Sequence, residues 1–343
     1  MNSLPERYSR QVLFSGIGPK GQDRMAHSTA AVVGLGALGS ISSAYLARAG
    51  VGHLHLIDRD LVEPSNLQRQ VLYDENDARG HCPKAAAAER HLRQANSEIE
   101  IVGHVEDLTA ATIARLLEGV DLVLDGTDNF ETRFLLNEWS VRERVPWIYA
   151  AAVGAYGVTF PILPGETACL ACVFEPPPPA DVSPTCETDG ILGPVAGAVA
   201  SVQTIEALRI LSGTKPRMRQ SLNVFDLWSG RIQQVGLQRQ ENPDCRVCGE
   251  RRFPHLEARA GSVAVRLCGR NAVQVTPVEK MPVDLPALAR RLGAAGHVVA
   301  NRFLVRVQLA EGELTVFADG RSLVRGTDDL AMARSLVARY IGS

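Results

Sequence analysis

The sequence predicts an α/β protein built on a Rossmann-like, doubly wound and mostly parallel sheet with an antiparallel extension, followed by a small C-terminal α+β domain. Three observations predict it. Short apolar segments alternate with helical ones through residues 1–150, as in a parallel sheet covered by helices. A G-x-G-x-x-G run (Gly34, Gly36, Gly39) stands between the first strand and first helix of that series. Beyond residue 253 short strands recur with few helices between them.

The elements follow in order. Thr29–Val33 (TAAVV) reads as a buried strand, and Ala37–Ala49, rich in small residues, as a helix packed on a sheet. His53–Ile57 is a second strand that ends at Asp58. Pro83 opens a helix over 83–94, since a proline costs no hydrogen bond in the first turn. Strands are predicted at 98–104 and 121–124, and helices at 109–117 and 130–144. The uncharged run 145–165 is long enough to raise the question of a membrane span. Pro146, Pro161, Pro164, Gly154 and Gly157 break it into two buried strands with a turn. The stretch 174–190 holds four consecutive prolines and reads as an exposed or crossing loop. A helix over 191–211 and strands at 222–227 and 231–237 complete the first domain, 1–252. The second, 253–343, carries the strands VAVRL, AVQVT, FLVRVQL, ELTVFAD and RSLVRG, with helices starting near Leu285 and Asp328.

Composition limits the function. With 36 Lys and Arg against 38 Asp and Glu, the formal net charge is −2, which gives no basic field for gripping nucleic acid. The N-terminal segment has no apolar run of the secretory kind, and the seven cysteines include two CxxC pairs. Together these predict a cytoplasmic protein with reduced thiols, no membrane span and no nucleic-acid partner.

The glycine loop points to a nucleotide, because its N–H groups and the helix dipole favour phosphate. Asp58, 19 residues after Gly39, suits a ribose hydroxyl. The segment that follows decides between nucleotides. Asn66, Arg69 and Gln70 cluster after the second strand, and Lys84 follows at the next helix. A hydride-transfer enzyme has no use for such cations, whereas attack on a triphosphate builds charge that they offset. Asp121–Asn129 ends another strand with DGTDN. Asp128 there could hold magnesium or serve only a turn or helix cap.

These motifs resemble the ThiF/MoeB family, bacterial relatives of ubiquitin-activating enzymes. The matching residues are RYSRQ (7–11), GLGALG (34–39), Asp58, SNLQRQ (65–70), PK (83–84), DGTDN (125–129) and both CxxC pairs, in the family's order from about residue 6 to 250. The resemblance implies adenylation of the C-terminal glycine carboxylate of a ubiquitin-like sulfur carrier protein (ThiS or MoaD type) by ATP and Mg²⁺, with release of pyrophosphate, in thiamine or molybdenum-cofactor synthesis. It implies that Gly34, Gly36 and Ala37 line the nucleotide and Asp58 binds ribose. Asn66, Arg69, Gln70 and Lys84 would hold phosphates, and Asp128 with Asn129 the metal-nucleotide. Ala37 stands where the family often has glycine. Arg10 resembles an arginine that reaches in from a partner subunit, which implies a homodimer with shared sites. Two alternatives use the same motifs: a nicotinamide-dependent Rossmann dehydrogenase, which leaves Arg69 and Lys84 unexplained, and a thioester-forming activator of a ubiquitin-like modifier.

Cys169, Cys172, Cys245 and Cys248 form two CxxC knuckles suited to tetrahedral structural zinc, or to two redox pairs. The resemblance implies one zinc shared by all four. It also places the family's sulfur-linking cysteine at Cys186, in the proline-rich loop, fed by a sulfurtransferase or cysteine desulfurase. Cys82 reads as incidental. Cys268 lies between two predicted strands near the start of the tail, the wrong context for a sulfurtransferase loop. The tail (LCGRNAVQ, VFADGR) is similar to the extension on ThiF-type proteins of some spore-forming bacteria. Its residues do not choose between carrier recruitment, dimer support and a structural cap.

Overall fold

The computed structural model describes residues 6–174, 189–213, 221–237, 242–257, 263–267, 271–277 and 282–341. The chain divides into two compact units, Met1–Ala258 and Arg259–Ser343.

In the first unit, α1 (Ser9–Val12) and α2 (Gly18–Ala26) precede the sheet. Then come β1 (Thr29–Val33), α3 (Ala37–Ala49), β2 (His53–Ile57), α4 (Glu75–Arg79), α5 (Lys84–Ala95), β3 (Glu100–His104), α6 (Ile113–Leu116), β4 (Leu122–Asp125) and α7 (Phe130–Glu143). The chain continues through β5 (Trp147–Val153), β6 (Tyr156–Ile162), α8 (Leu170–Val173), α9 (Gly193–Leu211), β7 (Ser221–Asp226), β8 (Arg231–Gly236) and α10 (Pro254–Glu257). The eight strands form one sheet in the order β3-β2-β1-β4-β5-β6-β7-β8. The first five run parallel and the last three antiparallel, which gives the predicted doubly wound sheet and its extension. Central strands are apolar on both faces because helices cover both; all four residues of β4 are buried. The uncharged 145–165 run forms β5 and β6, and no helix among the described residues is long and apolar enough to cross a membrane.

Three helices begin later than predicted: α9 by two residues, at Gly193, and α5 and α6 for local reasons. Pro83 stands at the N-cap of α5 in extended conformation. Ahead of α6, Thr112 Oγ1 accepts from the Thr109 N–H (2.9 Å) and donates to the Asp107 carbonyl (2.7 Å). That competing bond pattern delays the helix to Ile113. The first unit also runs past the predicted boundary at 252. Glu138, fully buried on α7, accepts from the His255 N–H (2.8 Å), His255 Nδ1 (2.7 Å) and the Leu256 N–H (3.1 Å), so α10 stays docked to the first unit.

The second unit has a six-stranded antiparallel sheet, β11-β12-β13-β14-β10-β9. Its elements are β9 (Val263–Leu267), β10 (Ala272–Thr276), α11 (Leu285–Leu292), β11 (His297–Ala300), β12 (Leu304–Leu309), β13 (Gly312–Phe317), β14 (Ser322–Arg325) and α12 (Leu330–Tyr340). The five predicted segments become β9, β10, β12, β13 and β14. The short edge strand β11 was not predicted; its HVVA is mostly exposed and shows no buried alternation. Leu285, Leu288, Leu292, Ala333 and Leu336 of the two helices pack with Val273, Val307, Leu314 and Val324 of the sheet.

Candidate active site

Ligands of open α/β sheets sit where the strand order reverses, at the carboxyl ends. Here that point lies between β1 and β4, which pair with Val33 opposite Asp125. The glycine loop leaves one strand and the DGTDN turn the other. They interlock through backbone. Gly34 has φ +82°, and a Cβ there would meet the Gly126 carbonyl oxygen at 2.6 Å. Side chains at Gly39 or Gly126 would run into the Gly34 carbonyl. The outer glycines are therefore demanded by packing.

Gly36 differs. A Cβ there would meet only Gln70 Nε2, at 3.8 Å. Gly36 is the N-cap of α3 and supplies no side-chain bond, and Ala37 opens the helix. The first-turn N–H groups therefore present the positive end of the helix dipole to an open cradle. Gln70 is buried, and its Oε1 has no hydrogen-bond partner among the described residues. A buried acceptor of this kind is satisfied by a donor on a ligand or by a bridging water.

Around this cradle the sequence candidates converge. Asp58 is buried at the end of β2 and accepts from the Leu35 N–H (2.7 Å) and the Asp60 N–H (2.7 Å). Burial pushes its carboxyl above the ordinary value, and Lys84 pulls it partly back. Lys84, also buried, reaches Asp60 Oδ2 at 3.1 Å. Asn66 is buried and accepts from the Glu63 N–H (3.1 Å). Arg69 is half-buried and donates to the Ser65 carbonyl (2.8 Å). Asp128 is exposed on the turn, close enough to Arg59 and Arg133 to favour the charged form of both. Asn129 takes the cap role: its side chain accepts from the Thr132 N–H (2.9 Å) at the start of α7.

Arg10 is not brought to the cradle of its own chain. Tyr8 lies against Gly50, and Gln11 donates to the Ala49 carbonyl (2.9 Å), so α1 is tied to the C-terminal end of α3. The cradle is at the other end of this 13-residue helix, about 20 Å away at 1.5 Å per residue. Arg10 itself is exposed.

Several supporting residues were not predicted. Arg59 bonds Asp107 at 2.6 Å beside Asp60. Tyr73 donates to the Leu35 carbonyl (2.8 Å), so the loop residue Leu35 is clamped from both sides, by Tyr73 and by Asp58. Gln203, fully buried on α9, donates to the carbonyls of Asp125 (2.8 Å) and Ile148 (3.0 Å). A lone glutamine amid VASVQTIEAL was the signal available for it.

The two CxxC pairs meet. Sγ separations are 3.8 Å for Cys169–Cys172, 3.7 Å for Cys169–Cys245 and 3.4 Å for Cys172–Cys248, and all four sulfurs lie within 4.8 Å of one another. Zinc–thiolate bonds of about 2.3 Å in a tetrahedron put sulfurs about 3.8 Å apart, so the cluster fits zinc. Hydrogen bonds from neighbouring thiols, Cys169 foremost, pull Cys172 and Cys245 down, the latter to about 6. Donating to Cys172 and Cys245 pushes Cys169 up. Four thiols this close cannot all ionise without a shared cation. Cys186 and Cys268 lie outside the described residues.

Residues 8–247 match the ThiF family. The chain is 42% identical over 337 residues to the sulfur carrier protein ThiS adenylyltransferase of Bacillus subtilis, covering 98% of this chain and 99% of that one. It is 35% identical over 250 residues to the sulfur carrier protein adenylyltransferase of Thermus thermophilus, 71% of this chain and 91% of that one. The adenylyltransferase and sulfurtransferase MOCS3 of Sus scrofa is 38% identical, and this chain spans 61% of its length. Among solved structures, E. coli MccB with ATP superimposes with a TM-score of 0.62 over 71% of this chain and 75% of that one, at 24% identity, a likeness of fold.

Proposed function

The chain belongs to the ThiF family, and from that premise we propose that it adenylates the C-terminal glycine carboxylate of a ubiquitin-like sulfur carrier protein, using ATP and releasing pyrophosphate. One observation carries the reading: the Gly34 and Gly126 turns interlock next to a helix N-terminus that no side chain caps, with the Gln70 amide nitrogen facing Gly36 and the buried Lys84 acting on Asp58.

Gly34, Gly36 and Ala37 line the triphosphate, with first-turn N–H groups donating to it. Asp58 keeps lone pairs for ribose after its two backbone bonds. Asn66, Arg69, Gln70 and Lys84 hold phosphate oxygens. Asp128, on its exposed turn, offers carboxylate oxygens to magnesium, and Asn129 fixes the turn as its cap. Magnesium, when bound, neutralises phosphate charge. The carrier's carboxylate is already ionised, so no general base is required. Its oxygen bonds to the α-phosphorus while the bond to the bridging oxygen breaks, and pyrophosphate departs with the electron pair. Alignment and charge neutralisation supply the rate.

Arg10 serves the site of a second copy, which makes the protein a homodimer; its distance from its own cradle supports this. The four clustered cysteines hold one structural zinc. Cys186 handles sulfur after adenylation, supplied by a sulfurtransferase or cysteine desulfurase. The name of the Bacillus subtilis relative, matched over 99% of its length, favours a carrier of the ThiS type.

ATP–pyrophosphate exchange with carriers ending in Gly-Gly tests the reading. Exchange should persist in Cys186→Ala, because adenylation precedes sulfur transfer, and fall at least about a hundredfold in Asp128→Ala or Arg69→Ala. Loss of exchange in a folded Cys186→Ala protein would refute the ordering. Exchange untouched in Asp128→Ala would refute the site.

A further inference from the structure

Arg133, on the first turns of α7, holds a buried position that the reaction above does not use. Its Nε donates to Asp125 Oδ2 (3.0 Å), and its Nη2 to the carbonyls of Thr127 (2.6 Å) and Ala150 (3.2 Å). One guanidinium therefore binds the end of β4, the DGTDN turn and the middle of β5. Asp125 is fully buried and also accepts from the Thr127 N–H (2.8 Å) and hydroxyl (2.7 Å). The guanidinium lies 5.4 Å from the Phe130 ring centre and 5.2 Å from that of Tyr149. Phe174, two residues beyond Cys172, packs on both rings at 6.1 and 5.7 Å.

We propose that Arg133 is a positioning residue: it fixes the 125–129 turn so that Asp128 presents its carboxylate to the magnesium of bound nucleotide, and it ties that turn to the aromatic cluster beside the cysteine knuckle. The role rests on reading the cleft as a nucleotide site. Three directional bonds from one planar fork explain why arginine is needed. A lysine carries the same charge but cannot satisfy three separated acceptors in a plane. A simple fold staple would also use this pair, but it would act on every ligand equally. A residue that places Asp128 acts on the magnesium-dependent part of binding alone.

The test is calorimetric titration of the full chain with ATP, in magnesium-depleted and magnesium-containing buffer, for wild type and Arg133→Lys. Magnesium should tighten ATP binding by the wild type. Arg133→Lys should keep the magnesium-free affinity within about twofold and lose about tenfold of the magnesium gain, because the two ligands are coupled reciprocally. If Arg133→Lys does not fold, Arg133→Met with Asp125→Asn removes both buried charges together and serves the same test. Equal losses in both buffers, or a variant that keeps the whole magnesium gain, would overturn the positioning role alone. A folded wild type that binds no ATP in either buffer would overturn the nucleotide reading and this role with it.

Discussion

Asp58 shows how one side chain can serve fold and chemistry at once. Its carboxylate anchors the glycine loop through the Leu35 N–H and is also the candidate ribose ligand. The motif made its position legible in the sequence. Its burial was not legible, because that depends on Tyr73 and Lys84 arriving from later segments. Burial has a measurable consequence. Desolvation raises the folded-state carboxyl above its ordinary value of 3.8, with Lys84 opposing. The folded chain then binds this proton more tightly than the unfolded chain does. The stability that the protonated group adds is fully present below pH 3.8, falls as pH rises through the raised value, and is flat beyond it. Asp58→Asn should remove that component of the slope. Urea midpoints of both proteins across the acidic range check it, and identical slopes would show that the carboxyl is not perturbed. Arg133 is the opposite case. It sits near the end of TDNFETRF and looks like any helix-surface arginine until β5 supplies the Ala150 carbonyl.

At the level of elements, what the sequence reveals depends on whether the signal is local. Buried parallel strands announce themselves, since TAAVV and DLVL have no polar face. Edge strand β11 and helix α2 do not: the first is mostly exposed and the second strongly polar. The cysteine knuckles were legible as two pairs. Their meeting was legible only through the family resemblance, because nothing local in either CxxC pair points to a partner more than 70 residues away. Cys169 and Cys245 are buried in the same core cluster as Trp147 and Phe160, so the knuckle closes one end of the antiparallel extension. Metal analysis should find about one zinc per chain. Cys245→Ser should lose it and lower the melting temperature by several degrees, since metal binding to a closed thiolate site is also folding free energy. A metal-free protein that melts at the same temperature and keeps its exchange activity would rule out a structural zinc.

Scaled to the whole molecule, the position of Arg10 becomes an argument about assembly. Its helix is fastened to the far end of α3 by Tyr8 and Gln11. The distance to its own cradle, about 20 Å along the helix, exceeds the reach of an arginine side chain. If Arg10 acts on nucleotide at all, it acts on another chain's. Each site then takes Arg10 from one protomer and Asp128 from the other, which allows complementation. Arg10→Ala and Asp128→Ala proteins should each be inactive alone. After subunit exchange, a mixed dimer carries one site with both residues intact and one with neither. An equal mixture makes half its dimers mixed, so about a quarter of all sites recover. Exchange activity should therefore rise from near zero towards about a quarter of wild type as subunits exchange. If Arg10 acted within its own chain, every site in the mixture would lack one residue and activity would stay at the level of the separate variants. A mixture that stays inactive, although native mass spectrometry shows mixed dimers, would therefore sink the shared site, because no other arrangement of these two residues predicts recovery.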